Sequence, residues 1–100
     1  MAQMAPSRFS TATVSSVNDL DTVQTLCAAN ASRVALYIYN DSDQALYIKL
    51  GSAATTADFS VKVAAGGYFE LPNTQVIYSG IVTGIWAANS TGAAKITEIA

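Results

Sequence analysis

The chain has no histidine, one cysteine and few charges, and each shortage removes a class of function. Without histidine there is no Ser-His-Asp or Cys-His nucleophile system, and the commonest metal ligand is missing as well. A single cysteine, Cys27, makes no intrachain disulfide, so the framework logic of small secreted domains does not apply. It lies in the apolar run Leu26 to Ala29 and reads as a small packed hydrophobe. The five basic residues are scattered over a chain of net charge −2 and form no stripe that would follow a phosphate backbone, which argues against nucleic acid. No apolar run approaches the roughly 18 residues of a membrane helix, and the start, MAQMAPSRFS, lacks the basic and apolar regions of a signal peptide. Neither a membrane nor a cofactor is expected as a partner, and no catalytic constellation is present.

What the chain does have is strand material. One hundred residues make one domain, and a chain of that size buries somewhat over 60% of its unfolded surface. Only 12% of residues are charged while 51% are hydrophobic, an unusual balance for a free monomer, so part of the surface is expected to be covered by a partner. In Arg33 to Gly51, Val34, Leu36 and Ile38 alternate with Ala35, Tyr37 and Tyr39, and Leu46, Ile48 and Leu50 alternate with Ala45, Tyr47 and Lys49. That period of two predicts two strands. The turn formers Asn40, Asp41, Ser42 and Asp43 between them predict a β-hairpin with the tyrosines on one face.

Along the rest of the chain, residues 1–10 read as a flexible N-terminal arm and 11–100 as a single β-sandwich domain. Strands are expected in Phe9 to Val17 and in Thr22 to Ala28. The segment after Gly51 reads as a loop. Phe59 to Val63 and Tyr68 to Leu71 form a second hairpin around Gly66 and Gly67. The run from Val76 to Ala88 is interrupted by Gly80 and Gly84, which points to a bulge, a bend or a close backbone approach, and a last strand follows from Ala93 to Ile99. Seven or eight short strands with regular turn signals and no helix predict an all-β, antiparallel two-sheet β-sandwich, with a jelly-roll-like arrangement among its forms.

Several residues invite a chemical reading beside a plainer one. Asp41 with Asp43, and Asp19 with Asp21, offer oxygen ligands to Ca²⁺, but neither pair has the glycine and distal glutamate of an EF-hand loop, and aspartate is ordinary in turns. Glu70 and Glu98 each fall on a strand and would have to be brought together to serve as a glycosidase pair. Tyr37, Tyr39 and Tyr47 read as one aromatic face, suited to a subunit interface or to sugar stacking. Trp86 within an Ile and Ala run is a core residue or a sugar platform.

The order of turns and strands resembles a recurrent type of small bacteriophage virion protein. The residues that carry this are Asn30 with Ser32 and Arg33 leading into a strand that ends Tyr39-Asn40-Asp41-Ser42, then Ala45-Leu46-Tyr47-Ile48 and Gly51. They continue with Ala65-Gly66-Gly67-Tyr68, Leu71-Pro72, Tyr78-Ser79-Gly80, Gly84-Ile85-Trp86 and Ala94-Lys95-Ile96-Thr97-Glu98. The similarity spans roughly residues 11 to 100 and is a pattern of strands and turns, without a catalytic signature. It implies a capsid decoration or cement protein, with a carbohydrate- or receptor-binding module of a head or tail fibre as the alternative. No nucleophile-base pair or metal set exists in the chain, so it is not expected to be an enzyme. The resemblance implies a homotrimer made in the bacterial cytoplasm and seated on the capsid surface of the virion, with the major capsid protein as its partner. Its expected subunit and partner interface is Arg8, Phe9, Tyr37, Tyr39, Tyr47 and Trp86.

Overall fold

The computed structural model describes residues 11–72 and 75–100. Within them the chain forms eight strands: β1 (Ala12–Asn18), β2 (Gln24–Cys27), β3 (Ala35–Asp41), β4 (Leu46–Leu50), β5 (Val61–Val63), β6 (Tyr68–Glu70), β7 (Val82–Trp86) and β8 (Ala93–Ile99). They make two four-stranded antiparallel sheets, sheet I in the order β1-β8-β3-β6 and sheet II in the order β2-β7-β4-β5. β1 pairs with β8, β2 with β7, β3 with β6 and β4 with β5. The chain is therefore one long hairpin rolled up on itself, closed by β3 against β8 and β4 against β7. That order is the jelly-roll form of the β-sandwich.

Residues 33 to 51 do not form a hairpin, because β3 belongs to sheet I and β4 to sheet II. The alternation in both strands is as expected, and the aliphatic residues meet across the core instead of side by side. Leu36 and Ile38 from β3 face Leu46 and Ile48 from β4, with Trp86, Val82, Ile96, Leu26, Val63 and Leu71 completing the buried cluster. The second expected hairpin fails for the same reason. Gly66, at φ 73, makes a tight turn between β5 and β6, which lie in opposite sheets. In both cases the connecting segment is an arch from one sheet to the other.

The other strands shift modestly. β1 runs from Ala12 to Asn18, and residues 1–10, the expected arm, lie outside the described residues. In the run after Val76, only Val82–Trp86 is a strand. Gly84 lies on its inner face, where a side-chain carbon would sit 2.7 Å from Leu26 Cδ1 and 3.0 Å from Leu46 Cδ1, so a close approach is the reason for this glycine. A bulge between Thr25 and Cys27 turns both Leu26 and Cys27 towards the core.

Candidate functional site

The buried polar side chains are the first place to look for chemistry. Among the described residues there are four: Asp19, Arg33, Asn40 and Thr83. Arg33 lies in the β2–β3 connection with its side chain fully enclosed. Its Nε donates to Glu98 Oε2 at 2.8 Å, and its terminal nitrogens donate to the carbonyls of Ala28 (2.7 Å), Tyr78 (2.9 Å) and Gly80 (3.0 Å). The planar guanidinium thus ties the β2–β3 and β6–β7 connections together. Glu98 also accepts from the Cys27 thiol at 3.2 Å and from Asn30 Nδ2 at 3.3 Å. Burial pulls the Glu98 carboxyl up, but the hydrogen bonds from Arg33, Cys27 and Asn30 and the Arg33 charge outweigh it and hold the group below its usual range. Burial pushes the Cys27 thiol up, Glu98 adds to that, and Arg33 opposes it without reversing it. Cys27 is a hydrogen-bond donor here, and its raised pKa is the opposite of what a nucleophilic thiol requires.

At the other end Asn40 does the same work without charge. Its Nδ2 donates to the carbonyls of Gln44 (2.8 Å), Val63 (3.2 Å) and Ala64 (3.1 Å), while its Oδ1 accepts from Trp86 Nε1 at 3.0 Å. It holds the β3–β4 and β5–β6 arches. Asp19, in the β1–β2 connection, accepts through Oδ2 from Ser42 Oγ at 2.6 Å and from the Gly92 amide at 3.2 Å, which joins the β7–β8 connection to it. Thr83 donates to the Gly51 carbonyl at 2.7 Å and accepts from the Ala54 amide at 3.2 Å, so it anchors the remaining connection, β4–β5. Four side chains account for all seven connections, and their chemistry is structural.

The carboxylates do not assemble into a site. Glu70 and Glu98 are on opposite faces of sheet I: Glu98 turns inward to Arg33, whereas Glu70 accepts from the exposed Tyr68 hydroxyl at 3.1 Å. Asp41 and Asp43 line an open concavity of about 410 Å³ with Ser42, Gly66, Ser90, Thr91 and Gly92. Asp19 lies buried beneath it, with Oδ1 unpartnered, and Asp21 is exposed. No three acidic or cysteine side chains among the described residues converge to hold a metal ion.

The two outer faces differ. The β4–β5 loop folds over sheet II, where Phe59 meets the Tyr47 ring edge-on at 5.0 Å, Lys62 lies 5.3 Å over the same ring, and Lys49 pairs with Asp58 at 2.6 Å. Sheet I is bare. Two rows cross its outer face, Val14, Thr97, Tyr37 and Glu70 in one and Ser16, Lys95, Tyr39 and Tyr68 in the other. Tyr37 and Tyr68 stack with ring centroids 6.4 Å apart and 15° between planes. Val14 is 70% exposed, Tyr68 57% and Tyr39 43%.

The six expected interface residues are therefore scattered. Tyr37 and Tyr39 share the open face, but Tyr47 lies outside the opposite sheet, because β3 and β4 are in different sheets. Trp86 is fully buried with its indole N–H on Asn40, which leaves no platform for a sugar or a partner. Arg8 and Phe9 lie outside the described residues. Tyr68 and Val14 join the face without having been expected there; Tyr68 was legible as an outward residue of its strand, but its alignment with Tyr39 needs the β3–β6 register. Compared with family models, with curated proteins and with solved structures, the chain matches none.

Proposed function

We propose that the chain is a structural protein of a bacteriophage particle, a decoration or cement subunit that binds the outer shell and adds contact area between major capsid subunits. The observation that supports this reading is the outer face of sheet I, where Val14, Tyr37, Tyr39 and Tyr68 lie side by side with only Lys95 and Glu70 as charges in the two central rows. Aromatic side chains with few charges around them are the composition of an interface centre. The jelly roll is compatible with the role but serves capsid proteins, lectins and cupins alike, so the face carries the argument and the fold does not.

The test is mass spectrometry of gradient-purified particles made from the genome that encodes the chain. The subunit is expected in the particles in constant ratio to the major capsid protein. Particles lacking it should open under milder heating, with closure restored by adding back the wild-type chain and not the Tyr39→Ser, Tyr68→Ser double variant. Absence of the chain from purified particles overturns the reading. Exposed tyrosine rings also suit sugar stacking, which makes a fibre module the second reading; it requires a glycan from a broad panel to change the tyrosine fluorescence.

A further inference from the structure

The four sheet edges are unequal. β5 and β6 are three residues long and carry Lys62 and Glu70, and β2 is four residues long and bulged. These are the usual devices that stop one sheet edge from pairing with another. β1 has none of them. It is seven residues long, ATVSSVN, without charge, proline or bulge, and its register against β8 is unbroken over all seven pairs. Six of its seven residues are exposed, and among the described residues no strand pairs with its outer side.

The phase of the ladder says which groups that edge offers. The Ala100 amide donates to the Thr11 carbonyl at 3.1 Å and the Asp19 amide to the Gly92 carbonyl at 3.2 Å. These bonds flank the ladder, so Ala12–Ile99 and Asn18–Ala93 are non-hydrogen-bonded pairs, and Thr13, Ser15 and Val17 are the residues that exchange bonds with β8. The N–H and C=O groups of Ala12, Val14, Ser16 and Asn18 therefore point out of the sheet.

We infer that β1 is the contact between two copies of this chain, paired antiparallel about a two-fold axis at Ser15. In that register Val14 meets Ser16 of the second copy and Ala12 meets Asn18, and all four outward residues of each copy are used; a shift of one step in either direction leaves some unpaired. The strand is self-complementary because it carries no charge, so like charges never oppose one another across the axis. The neighbouring cation, Lys95, is held over its own Ser16 at 2.9 Å. Pairing joins the two sheets I into one eight-stranded sheet whose outer face carries Tyr37, Tyr39 and Tyr68 twice. It gives a two-fold assembly in place of the expected trimer, and it does not rest on the virion reading.

A single strand edge buries less than the roughly 800 Å² per partner of a stable complex, so the association depends on concentration. Light scattering of the full chain should show a twofold rise in mass between about 10 µM and about 1 mM, the range in which a contact of this size responds. A constant monomer mass, or a trimer, overturns the inference. Ser15→Asp and Ser15→Lys place like charges opposite each other at the axis. Each variant alone should remain monomeric where the wild type is a dimer, with an unchanged melting temperature because Ser15 is exposed. An equal mixture of the two should dimerise again. A dimer formed by either variant alone as readily as by the wild type overturns the register.

Discussion

The interior of this sandwich and the outside of sheet I reverse the usual distribution of polar and aromatic groups. Inside, an arginine, an asparagine and an aspartate are enclosed, and their hydrogen bonds go to the loops that join the strands, while a threonine does the same beneath the loop that covers sheet II. Outside, tyrosines and a valine lie open. Among the described residues this jelly roll has seven connections to hold and no helix to hold them, so buried polar side chains do it, each satisfying backbone groups that would otherwise be stranded. The reactive-looking residues therefore belong to stability. The exposed side chains of sheet I take no part in these staples.

Variants can separate the two roles, starting from the most damaging. Arg33→Met strands the Glu98 carboxylate and three carbonyls, and denaturant unfolding should read a loss of about 3 to 5 kcal/mol. Asn40→Leu leaves the Trp86 N–H and the arch carbonyls unpaired, for about 2 to 3 kcal/mol by the same measurement. Thr83→Val keeps shape and removes the anchor of one loop. It should cost about 1 to 2 kcal/mol, and hydrogen exchange should quicken at the Ala54 amide well before it does in the core strands.

Acid acts on the Arg33 end. Because the Glu98 carboxyl is held below its usual range in the folded chain, its contribution is complete above the ordinary glutamate pKa of about 4.3 and is lost as pH falls through the folded value. Glu98→Gln should flatten that part of the melting-temperature profile, and an unchanged acid limb would remove Glu98 from its cause. The smallest effect on folding belongs to Tyr39→Ser with Tyr68→Ser, expected within about 0.5 kcal/mol per site, although this pair should lose particle binding. A large drop in stability would return the face to structure.

The two-sheet architecture was legible from the number and spacing of short strands, and the inward aliphatic residues from alternation, since side-chain direction in a strand depends only on a period of two. Pairing was not. Asn40, Asp41, Ser42 and Asp43 have the same local chemistry whether the chain turns back within a sheet or arches across a core. What decides is that Asn40 falls in phase with Leu36 and Ile38 and must be buried, which a solvent-exposed hairpin turn does not ask of it. Glu98 carried the same signal, in phase with Ala94 and Ile96 on β8, and its partner Arg33 stood at the head of an apolar run. A polar residue in the inward phase of a strand is the sequence's sign of a staple. Which tyrosines share a face follows from long-range register, about which the local pattern is silent.

The nested pairing also sets the order in which this chain can fold. β4 and β5 are the pair nearest in sequence and can meet early, while each outer pair must wait for a longer loop to close, and Ala12 finds Ile99 only when most of the residues between them have been made. Closing such distant contacts is slow. On the ribosome, β1 has no partner until β8 has left the exit tunnel. Until then the same uncharged strand is exposed along both edges, and a nascent chain beside another of its kind meets a foreign β1 before it meets its own β8.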